Sequence, residues 1–445
     1  MNTFNNTKKT LAMFVPTYNR SLIINELFDE NLSLYAKYDI DLYIYDSSED
    51  AETDRIVKTF QNNFENLYYV RLPSDMHTNV KAYKIFQKYS WVRDYDYIWL
   101  CNDIKRFYPE TISGLMDIIS TSVYDIIILD QYRIASANNR EYSDINQFFI
   151  ENTWQLTNFG TSLLKTSTML DGVNWGYLTE KYCVTDKVNF SHVCFYFEQI
   201  LSLNSFKAIE YSTWWYGTRL KEHSGWYDSV FLVWLEYFPS AINALPNVYK
   251  NKKKAIKNHG KYSTVFSDRY LLGFKKDKIL NIEIYKQYRK RWKMYSSKPM
   301  IKFFLYSILP TNILSSYIDY SEQLKEHKPI KRFFSLKRLK RFCKAYKNVY
   351  VYGAGKVADR YIEYLKKMKV DIQGIIVTEK DMKTKEILQG VPIIIFDMLQ
   401  DWENAGLILG LNQYNAYEVK KVLLVKQFTG GIFDEYIRDK PRKDT

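Results

Sequence analysis

Hydrophobic and polar residues alternate in two different rhythms over residues 10–130. Short apolar runs predict β-strands, and apolar residues spaced three or four positions apart predict helices between them. The predicted strands are 11–16, 42–45, 67–72, 97–100 and 126–129, and the predicted helices are 23–38, 51–64, 79–89 and 110–119. This alternation predicts an α/β fold with a mostly parallel sheet flanked by helices. Ligands of such sheets bind beyond the carboxyl ends of the strands.

The rest of the chain divides into a basic helical region and a second α/β region. Residues 131–250 are rich in aromatic residues without a clear rhythm, and residues 250–347 are basic with helical spacing. The strand and helix rhythm returns from residue 348, with strands at 349–352, 372–377, 393–396 and 407–409. We therefore predict three domains, which are an α/β domain over 8–260, a basic helical subdomain over 261–347 and a smaller Rossmann-like domain over 348–440.

Positive charge is concentrated in the middle of this chain of 445 residues, whose formal net charge is +13. Residues 250–293 hold fifteen Lys and Arg against three Asp and Glu, and residues 320–347 hold ten against two. Within the second segment, an apolar stripe predicts an amphipathic helix. The stripe consists of Leu336, Leu339, Phe342 and Tyr346. Such a helix either lies on an anionic membrane or packs on its neighbour, and the sequence leaves both open.

The pattern of cysteines and the lengths of the apolar stretches indicate the cellular compartment of the protein. Cys101, Cys183, Cys194 and Cys343 are scattered and include no C-x-x-C pair. That pattern argues for a reducing compartment and against a disulfide framework or a zinc site. We find no apolar stretch of signal-peptide length at the start and none of the roughly 18 residues that a membrane span needs. We therefore expect a cytoplasmic protein, which its basic helix can hold peripherally at the inner face of the cell membrane.

Polar and aromatic side chains stand at the ends of four predicted strands. The first strand leads into Pro16, Thr17, Tyr18, Asn19 and Arg20, the second into Asp46, Ser47 and Ser48, the third ends at Arg71, and the fourth leads into Cys101, Asn102 and Asp103. Because the carboxyl ends of parallel strands share one edge of a sheet, we expect these side chains to lie close together.

The order of strand–PTYNR, strand–DSS and strand–CND resembles the family 2 glycosyltransferases of the GT-A fold, closely over residues 10–130 and loosely over 131–260. The resemblance implies that Tyr18 stacks on the base of a nucleotide, that Thr17 packs beside it and that Asp46 accepts from the base's ring N–H. Asp103 would be the last residue of the family's D-x-D motif, which binds the Mg²⁺ or Mn²⁺ that bridges the donor's phosphates. Cys101 and Asn102 depart from that motif.

The resemblance assigns donor binding to further residues and a second metal ligand to one histidine. The donor-binding residues are Pro16, Thr17, Tyr18, Arg20, Asp46, Ser47, Arg71, Asn102, Asp103 and Lys257. His259 is similar to the late histidine that several GT-A enzymes place on the metal, and Lys257 and Lys261 flank it as point charges that can reach a diphosphate.

An inverting displacement, which the resemblance also implies, needs a base that deprotonates the acceptor hydroxyl. In this family the base is an acidic residue near the start of a helix after the metal motif. We choose Glu198, and the competing candidates are Glu180, Asp186 and Asp228. Trp214, Trp215 and Trp226 lie where acceptor platforms are usual, and core packing is the alternative use of each.

A glycine-rich loop follows the first strand of the C-terminal region. Gly353 and Gly355 begin a truncated dinucleotide fingerprint in which Ala358 takes the third position, and Glu379 follows the next strand at the ribose-binding spacing. The loop therefore predicts either a nucleotide site or a structural role in assembly, such as homo-oligomer formation through this domain.

We predict from these patterns an inverting glycosyltransferase that moves a hexosyl or N-acetylhexosaminyl group from a nucleotide diphosphate donor, with UDP expected. The acceptor would be a saccharide, lipid-linked or not, in bacterial surface polysaccharide such as capsule, or in glycoconjugate synthesis. A catalytically weakened binding or scaffolding protein and an NAD-dependent enzyme are the alternatives. PTYNR lacks the Gly-rich, Arg-containing loop of nucleotidyltransferases, and we recognise no nucleic-acid-binding module.

Overall fold

The structure is a computed structural model that divides into two compact units, residues 1–315 and 316–445. It describes residues 9–76, 78–88, 94–130, 139–213, 215–217, 226–315, 333–378, 387–399, 402–411, 415–416, 419–420, 422–423, 426 and 428–433. The helices between residues 260 and 315 thus belong to the first unit, and the three-domain division stays a prediction. No helix in the described ranges is long and apolar enough to cross a membrane.

The first unit contains an eight-stranded sheet and a separate two-stranded ribbon. The strands of this unit are β1 (Lys9–Thr17), β2 (Asp41–Asp46), β3 (Leu67–Arg71), β4 (Tyr95–Leu100), β5 (Lys105–Phe107), β6 (Ile126–Asp130), β7 (Arg140–Tyr142), β8 (Ser162–Lys165), β9 (Ala208–Ser212) and β10 (Trp215–Gly217). The sheet has the order β3-β2-β1-β4-β8-β6-β9-β7, and β10 pairs with β5 in the ribbon. The five strands that were predicted from residues 10–130 are confirmed.

Helices cover this sheet and fill the region after it. They are α1 (Ser21–Leu27), α2 (Ser33–Lys37), α3 (Glu52–Gln61), α4 (Thr78–Phe86), α5 (Pro109–Ser120), α6 (Ile145–Leu156), α7 (Thr166–Met169), α8 (Trp175–Tyr182), α9 (Ser191–Ile200), α10 (Val230–Leu232), α11 (Phe238–Ala244), α12 (Lys252–Tyr262), α13 (Asp268–Lys276), α14 (Ile282–Tyr295) and α15 (Met300–Ile308). A π-helical turn, Phe28–Leu32, joins α1 to α2, and another, Val233–Tyr237, precedes α11.

The sequence pattern explains why these elements form. Residues 11–15 are all buried, because β1 is covered on both faces of the sheet, and parallel strands of this kind are continuously apolar. In α5, Thr111, Ile112, Leu115 and Ile119 are buried at helical spacing, so one face of the helix packs on the sheet. Strands β3, β2, β1 and β4 run parallel, whereas β8 is antiparallel to both of its neighbours. The predicted α/β fold class is therefore confirmed.

The basic helices after residue 250 pack through aromatic side chains. Trp292 and Phe303 stack with ring centroids 4.2 Å apart and an interplanar angle of 9°. Phe231 stacks on both Phe266 and Phe303. The helical part of the prediction is confirmed, and much of the aromatic content of this region is core packing.

The second unit has its own α/β sheet. Its strands are β11 (Asn348–Tyr352), β12 (Ile372–Val377), β13 (Ile387–Leu388), β14 (Val391–Ile395), β15 (Ala405–Leu409) and β16 (Gly431–Phe433), and its helices include α16 (Phe333–Ala345) and α17 (Lys356–Lys367). The order is β13-β14-β12-β11-β15-β16, and only the pair of β13 and β14 is antiparallel in the described strands. A second, smaller α/β unit is confirmed, and its Rossmann-like character stays a prediction.

The predicted amphipathic helix is α16, and part of its apolar stripe is already covered. Leu339 is fully buried in the core of the second unit, and Phe342 packs against the same core. Phe342 also contacts the rings of Tyr346 and Phe433. This arrangement favours packing of α16 on its neighbours over binding to a membrane. The structure does not describe the side chains of the basic residues between positions 320 and 338.

Candidate active site

The ends of β1, β2 and β4 meet at one edge of the large sheet. Thr17, the last residue of β1, is paired with Asp46, the last residue of β2, and Phe14 of β1 is paired with Leu100 at the end of β4. Parallel pairing therefore brings the loops after these strands together, as the sequence predicted. Four backbone segments that carry candidate donor-binding residues share this edge, because β3 with Arg71 lies beside β2.

Asp103 is held by the last residue of β1 and by Arg20 in the loop that follows it. Its side chain is buried, and its Oδ2 accepts a hydrogen bond of 2.9 Å from Thr17 Oγ1. Its Oδ1 accepts a 3.0 Å hydrogen bond from Arg20 Nη1, which also makes an ion pair. Arg106, fully buried, donates to the backbone oxygens of Asp103 and Ile23 and fixes the backbone behind the carboxylate. Both carboxylate oxygens thus have partners within the protein.

Asp46 is also saturated with hydrogen bonds. Its Oδ1 accepts from the backbone N–H of Ser48 at 2.8 Å and from Ser48 Oγ at 2.5 Å. Its Oδ2 accepts from Tyr69 at 2.9 Å and from Arg71 Nη1 at 3.0 Å. Four donors already surround this buried carboxylate, so contact with a base N–H requires one of them to move. The base-binding role of Asp46 stays a prediction.

Lys81 is the residue that sequence reasoning missed. It lies in α4, is buried, and its ammonium group donates to Ser47 Oγ and to the Thr17 carbonyl at 3.5 Å. Burial lowers the pKa of Lys81, and the charges of Asp46 and Asp103 partly oppose that shift. Lys81 precedes buried Ile85 by four residues, and a lysine on the apolar face of a helix is the signal that could have identified it.

Tyr18 presents its ring to solvent beside these groups. It is 43% exposed, its hydroxyl donates to Glu49 at 2.9 Å, and the Lys81 ammonium lies 5.7 Å from its ring centroid. A fixed, exposed aromatic ring next to a cation is suited to a planar, anionic ligand. Pro16 pairs with Tyr45 inside the sheet, so it supports the loop and presents no side chain to the cavity described next.

A cavity of about 710 Å³ opens above this edge. One part of its wall is polar and basic, with Tyr18, Arg20, Lys81 and Asn102. The rest of the described wall is uncharged, includes five Phe, Trp and Tyr residues, and consists of Ser74, Met76, Thr157, Asn158, Phe159, Asn189, Phe190, His192, Trp226, Ser229, Leu232, Val233, Trp234 and Tyr237. None of these described residues is an Asp or Glu. The cavity therefore combines anion-attracting side chains with aromatic rings that suit a sugar.

The structure does not bring Glu198 to this cavity. Glu198 Oε1 accepts from Tyr182 and from Lys181 at 2.7 Å, which makes an ion pair between α9 and α8. Asp186 accepts from Ser240 at 2.5 Å and lines a different, smaller cavity. Glu180 and Asp228 are exposed and are not in the described wall. The choice of Glu198 as base stays a prediction that this geometry does not support.

His259 lies behind the cavity wall. Its Nε2 is 3.2 Å from Thr157 Oγ1, its Nδ1 is 2.5 Å from the Tyr295 hydroxyl, and its ring stacks on Trp234 at 4.4 Å. Burial lowers the pKa of His259 to about 3, so the imidazole is neutral. Because both ring nitrogens are engaged in hydrogen bonds, neither nitrogen is available to a metal. Lys257 and Lys261 of the same helix are exposed and do not line the cavity.

The residues described near Asp103 do not fit a Mg²⁺ or Mn²⁺ site. Such ions prefer several oxygen ligands, and the described residues contain no group of three or more His, Cys, Asp or Glu that could hold a metal. Burial raises the pKa of the Cys101 thiol to about 12, which keeps it protonated. Asp103 is therefore a single carboxylate, and Arg20 and Thr17 already occupy its oxygens.

The three candidate tryptophans have separate positions. Trp226 lines the cavity, as expected of an acceptor platform. Trp215 lies in the ribbon, where the ammonium group of Lys105 sits 4.0 Å from the centroid of its ring. Trp214 lies outside the described residues.

The glycines of the C-terminal unit differ in whether the structure could accept a side chain at their positions. Gly353 has φ +101°, and a Cβ there would collide with Leu411, so this position requires glycine. Gly355 precedes α17 and has open space around a built Cβ. Ala358 packs so closely on Gly410 that a Cβ at Gly410 would lie 2.7 Å from its Cα. Glu379 lies outside the described residues, and nucleotide binding by this loop stays a prediction.

Comparison with known proteins agrees with the position of the site. A family model described as Glycosyl transferase family 2 matches residues 13–182, which include the C-terminal part of β1, all of β2 and β4, and the loops that follow these strands. No curated protein matches the chain significantly.

Several solved structures resemble the chain at low identity. TarS 1–349 from S. aureus is 13% identical, with a TM-score of 0.42 over 86% of this chain and 95% of that chain, and its complex with UDP gives the same values. Mannosyltransferase PcManGT from Pyrobaculum calidifontis, in complex with GDP-Man and Mn²⁺, is 12% identical, with a TM-score of 0.37 over 73% and 82%. Similarity at this level carries no argument about this chain. The family comparison shows that residues 13–182 match the glycosyl transferase family 2.

Proposed function

We propose that the first unit transfers a sugar from a nucleoside diphosphate donor, with UDP as the nucleotide, to a hydroxyl of a saccharide acceptor. The observation that carries this proposal is the cavity at the carboxyl edge of the sheet. Its wall holds Arg20 and Lys81 together with the exposed ring of Tyr18, and it also holds five further aromatic residues. A nucleoside diphosphate has a planar base and an anionic diphosphate, and a sugar ring has apolar faces, so these side chains match the chemistry of both substrates.

In the proposed reaction, the acceptor oxygen forms a bond to the anomeric carbon while the bond from that carbon to the donor's phosphate oxygen breaks. The leaving diphosphate takes the electron pair, and the acceptor hydroxyl gives its proton to a base, for which the sequence predicts Glu198. Attack from the face opposite the leaving group inverts the anomeric centre. Arg20 and Lys81 would stabilise the charge that develops on the leaving group. We assign no step to a metal, because the described residues do not form a site that fits a metal ion.

The identity of the proton acceptor distinguishes a transferase from a protein that only binds the donor. Glu198 is the base predicted from the sequence, but it is engaged with Lys181 and Tyr182. The described wall of the cavity has no carboxylate. This second observation favours one alternative, a protein that binds a nucleotide sugar without transferring it. Donor binding and turnover therefore have to be measured separately.

A panel of nucleotides tests the proposal. Thermal shift and calorimetry with UDP, GDP, CDP and NAD should show that UDP stabilises the protein most, because ligand binding to the folded state raises its melting temperature. Lys81→Met should weaken UDP binding, whereas Lys84→Met, an exposed lysine of the same helix, should not. A matching panel of UDP-sugars with saccharide acceptors then measures transfer. Binding without turnover would support the binding-protein alternative, and no binding of any nucleoside diphosphate would refute both.

Membrane attachment and self-association are further proposals with their own tests. The basic segments of residues 250–293 and 320–347 suit anionic lipid, so vesicles of anionic lipid should pull the protein down less as salt rises. Pelleting that is absent or independent of salt would remove this idea. Light scattering on the full chain decides whether it forms a homo-oligomer.

A further inference from the structure

The place where a family 2 transferase is expected to hold a metal is occupied here by the protein's own cations. Arg20 Nη1 makes an ion pair of 3.0 Å with Asp103 Oδ1, and Thr17 Oγ1 lies 2.9 Å from Oδ2. A divalent ion that bound Asp103 would have to share this buried carboxylate with Arg20 or displace it. In either case the guanidinium would lie near the ion with a charge of the same sign.

Lys81 adds a second cation to the same place. Its buried ammonium group interacts electrostatically with Asp46 and Asp103, and it contacts the Thr17 carbonyl and Ser47 Oγ. Asp46 already accepts hydrogen bonds from Arg71, Tyr69 and Ser48, so its negative charge does not serve Lys81 alone. Lys81 and Arg20 both line the cavity, and no described carboxylate does.

The first position of the expected metal motif is also filled by uncharged and basic groups. A Cβ built on Gly160 would lie 2.8 Å from Cys101 Sγ and 2.7 Å from Lys105 Cδ, so these side chains pack tightly. Lys105 is buried, its ammonium group has no hydrogen-bond partner among the described residues, and burial lowers its pKa to about 7. Cys101 and Lys105 therefore supply neither a ligand oxygen nor space for a hydrated ion, and the amide Oδ1 of Asn102 is the one buried side-chain oxygen without a hydrogen-bond partner in the described Cys101–Asp103 segment.

We propose that Arg20 and Lys81 bind the diphosphate of the donor directly, and that donor binding in this chain needs no divalent cation. This inference rests on the proposed function, since it assumes a nucleoside diphosphate in the cavity. Arg20 can turn from Asp103 toward phosphate oxygens, which a guanidinium binds in pairs, and Lys81 acts as a point charge. Asp103 holds Arg20 at the mouth of the cavity until the donor arrives.

Calorimetric titration of UDP tests this inference on the full chain. We expect the dissociation constant in excess chelator to lie within about threefold of that in Mn²⁺, and Arg20→Met and Lys81→Met each to weaken binding about tenfold or more. Lys84→Met and Arg55→Met replace exposed basic residues and should leave it unchanged. Arg20→Lys keeps the charge and should lose less affinity than Arg20→Met, which separates a charge effect from a folding defect.

The outcomes separate this inference from the function on which it rests. If UDP binds only when Mn²⁺ is present, the inference is overturned and the proposed function stands. If UDP binds in neither condition, both fail. Electron paramagnetic resonance of Mn²⁺ gives a readout without turnover, because we expect no protein-bound Mn²⁺ signal with or without UDP, and a bound signal that Asp103→Ala removes would contradict the inference.

Discussion

Arg20 and Asp103 form an ion pair of 3.0 Å that joins the loop after β1 to the loop after β4. The two residues are 83 positions apart in the chain, and the parallel pairing of β1 with β4 is what brings them together. The pair orients a guanidinium at the edge of the cavity. It is the structural centre of the candidate active site.

Asp103→Ala removes the acceptor of both Arg20 and Thr17. We expect transfer to fall about a hundredfold or more, because a preorganised group at the leaving diphosphate would lose its position. We expect the free energy of unfolding to fall by about 1–3 kcal/mol, since two donors lose their partner. Asp103→Asn keeps the size and one acceptor oxygen and should be less destabilising. Turnover and urea unfolding measure the two effects, and unchanged turnover in Asp103→Ala would refute the assignment.

Tyr18 should contribute through its ring and not through its hydroxyl. Tyr18→Ala should weaken UDP binding about tenfold, because a base loses a stacking surface that is typically worth about 1–3 kcal/mol. Tyr18→Phe removes only the hydrogen bond to Glu49, which lies at the exposed surface, and should bind UDP like the wild type. Calorimetry of the two variants checks this, and equal losses in both would contradict stacking on Tyr18.

Gly353 and Gly355 should respond differently to the same substitution. Gly353→Ala places an alanine in a left-handed backbone conformation, and its Cβ collides with Leu411. The substitution should therefore destabilise the second unit by about 1–3 kcal/mol. Gly355→Ala has open space and should change its stability by less than about 1 kcal/mol. Thermal unfolding measures both, and UDP binding to the first unit should be unchanged. Similar losses in the two variants would contradict this account of the loop.

The buried imidazole of His259 should make stability depend on pH. Burial lowers its pKa to about 3, whereas an unfolded histidine has a pKa of about 6.5, so the unfolded state binds more protons between these values. Stability therefore falls as pH falls below about 6.5, by about 2 kcal/mol at pH 5 for this residue. His192 is buried with a pKa of about 3 as well and adds a similar slope. Urea unfolding of His259→Gln at pH 5 and pH 7 should show a smaller difference than the wild type, and an equal difference would contradict this account.

The part of the site that depends on strand ends could be predicted from the sequence. Thr17, Asp46 and Asp103 each follow an apolar run, and parallel pairing leaves little freedom in where such residues lie. Lys81 escaped prediction because its role depends on which face of α4 packs on the sheet. The sequence predicts helix α4 but not the elements against which α4 packs.

Residues farther along the chain were harder to place. His259 and Glu198 have suitable chemistry, but their positions depend on how helices pack, and that packing gives them Tyr295 and Lys181 as partners. A resemblance to a family therefore assigns the roles of residues reliably only where pairing of neighbouring strands fixes the positions of those residues. Helix-borne roles need the three-dimensional contacts.

A crystal structure of the full chain with UDP tests the central claim most directly. We predict density for the uracil ring against Tyr18 and for the diphosphate within hydrogen-bond distance of Arg20 and Lys81, in the cavity at the carboxyl edge of the large sheet. A nucleotide bound elsewhere, or one whose phosphates contact neither Arg20 nor Lys81, would contradict the account.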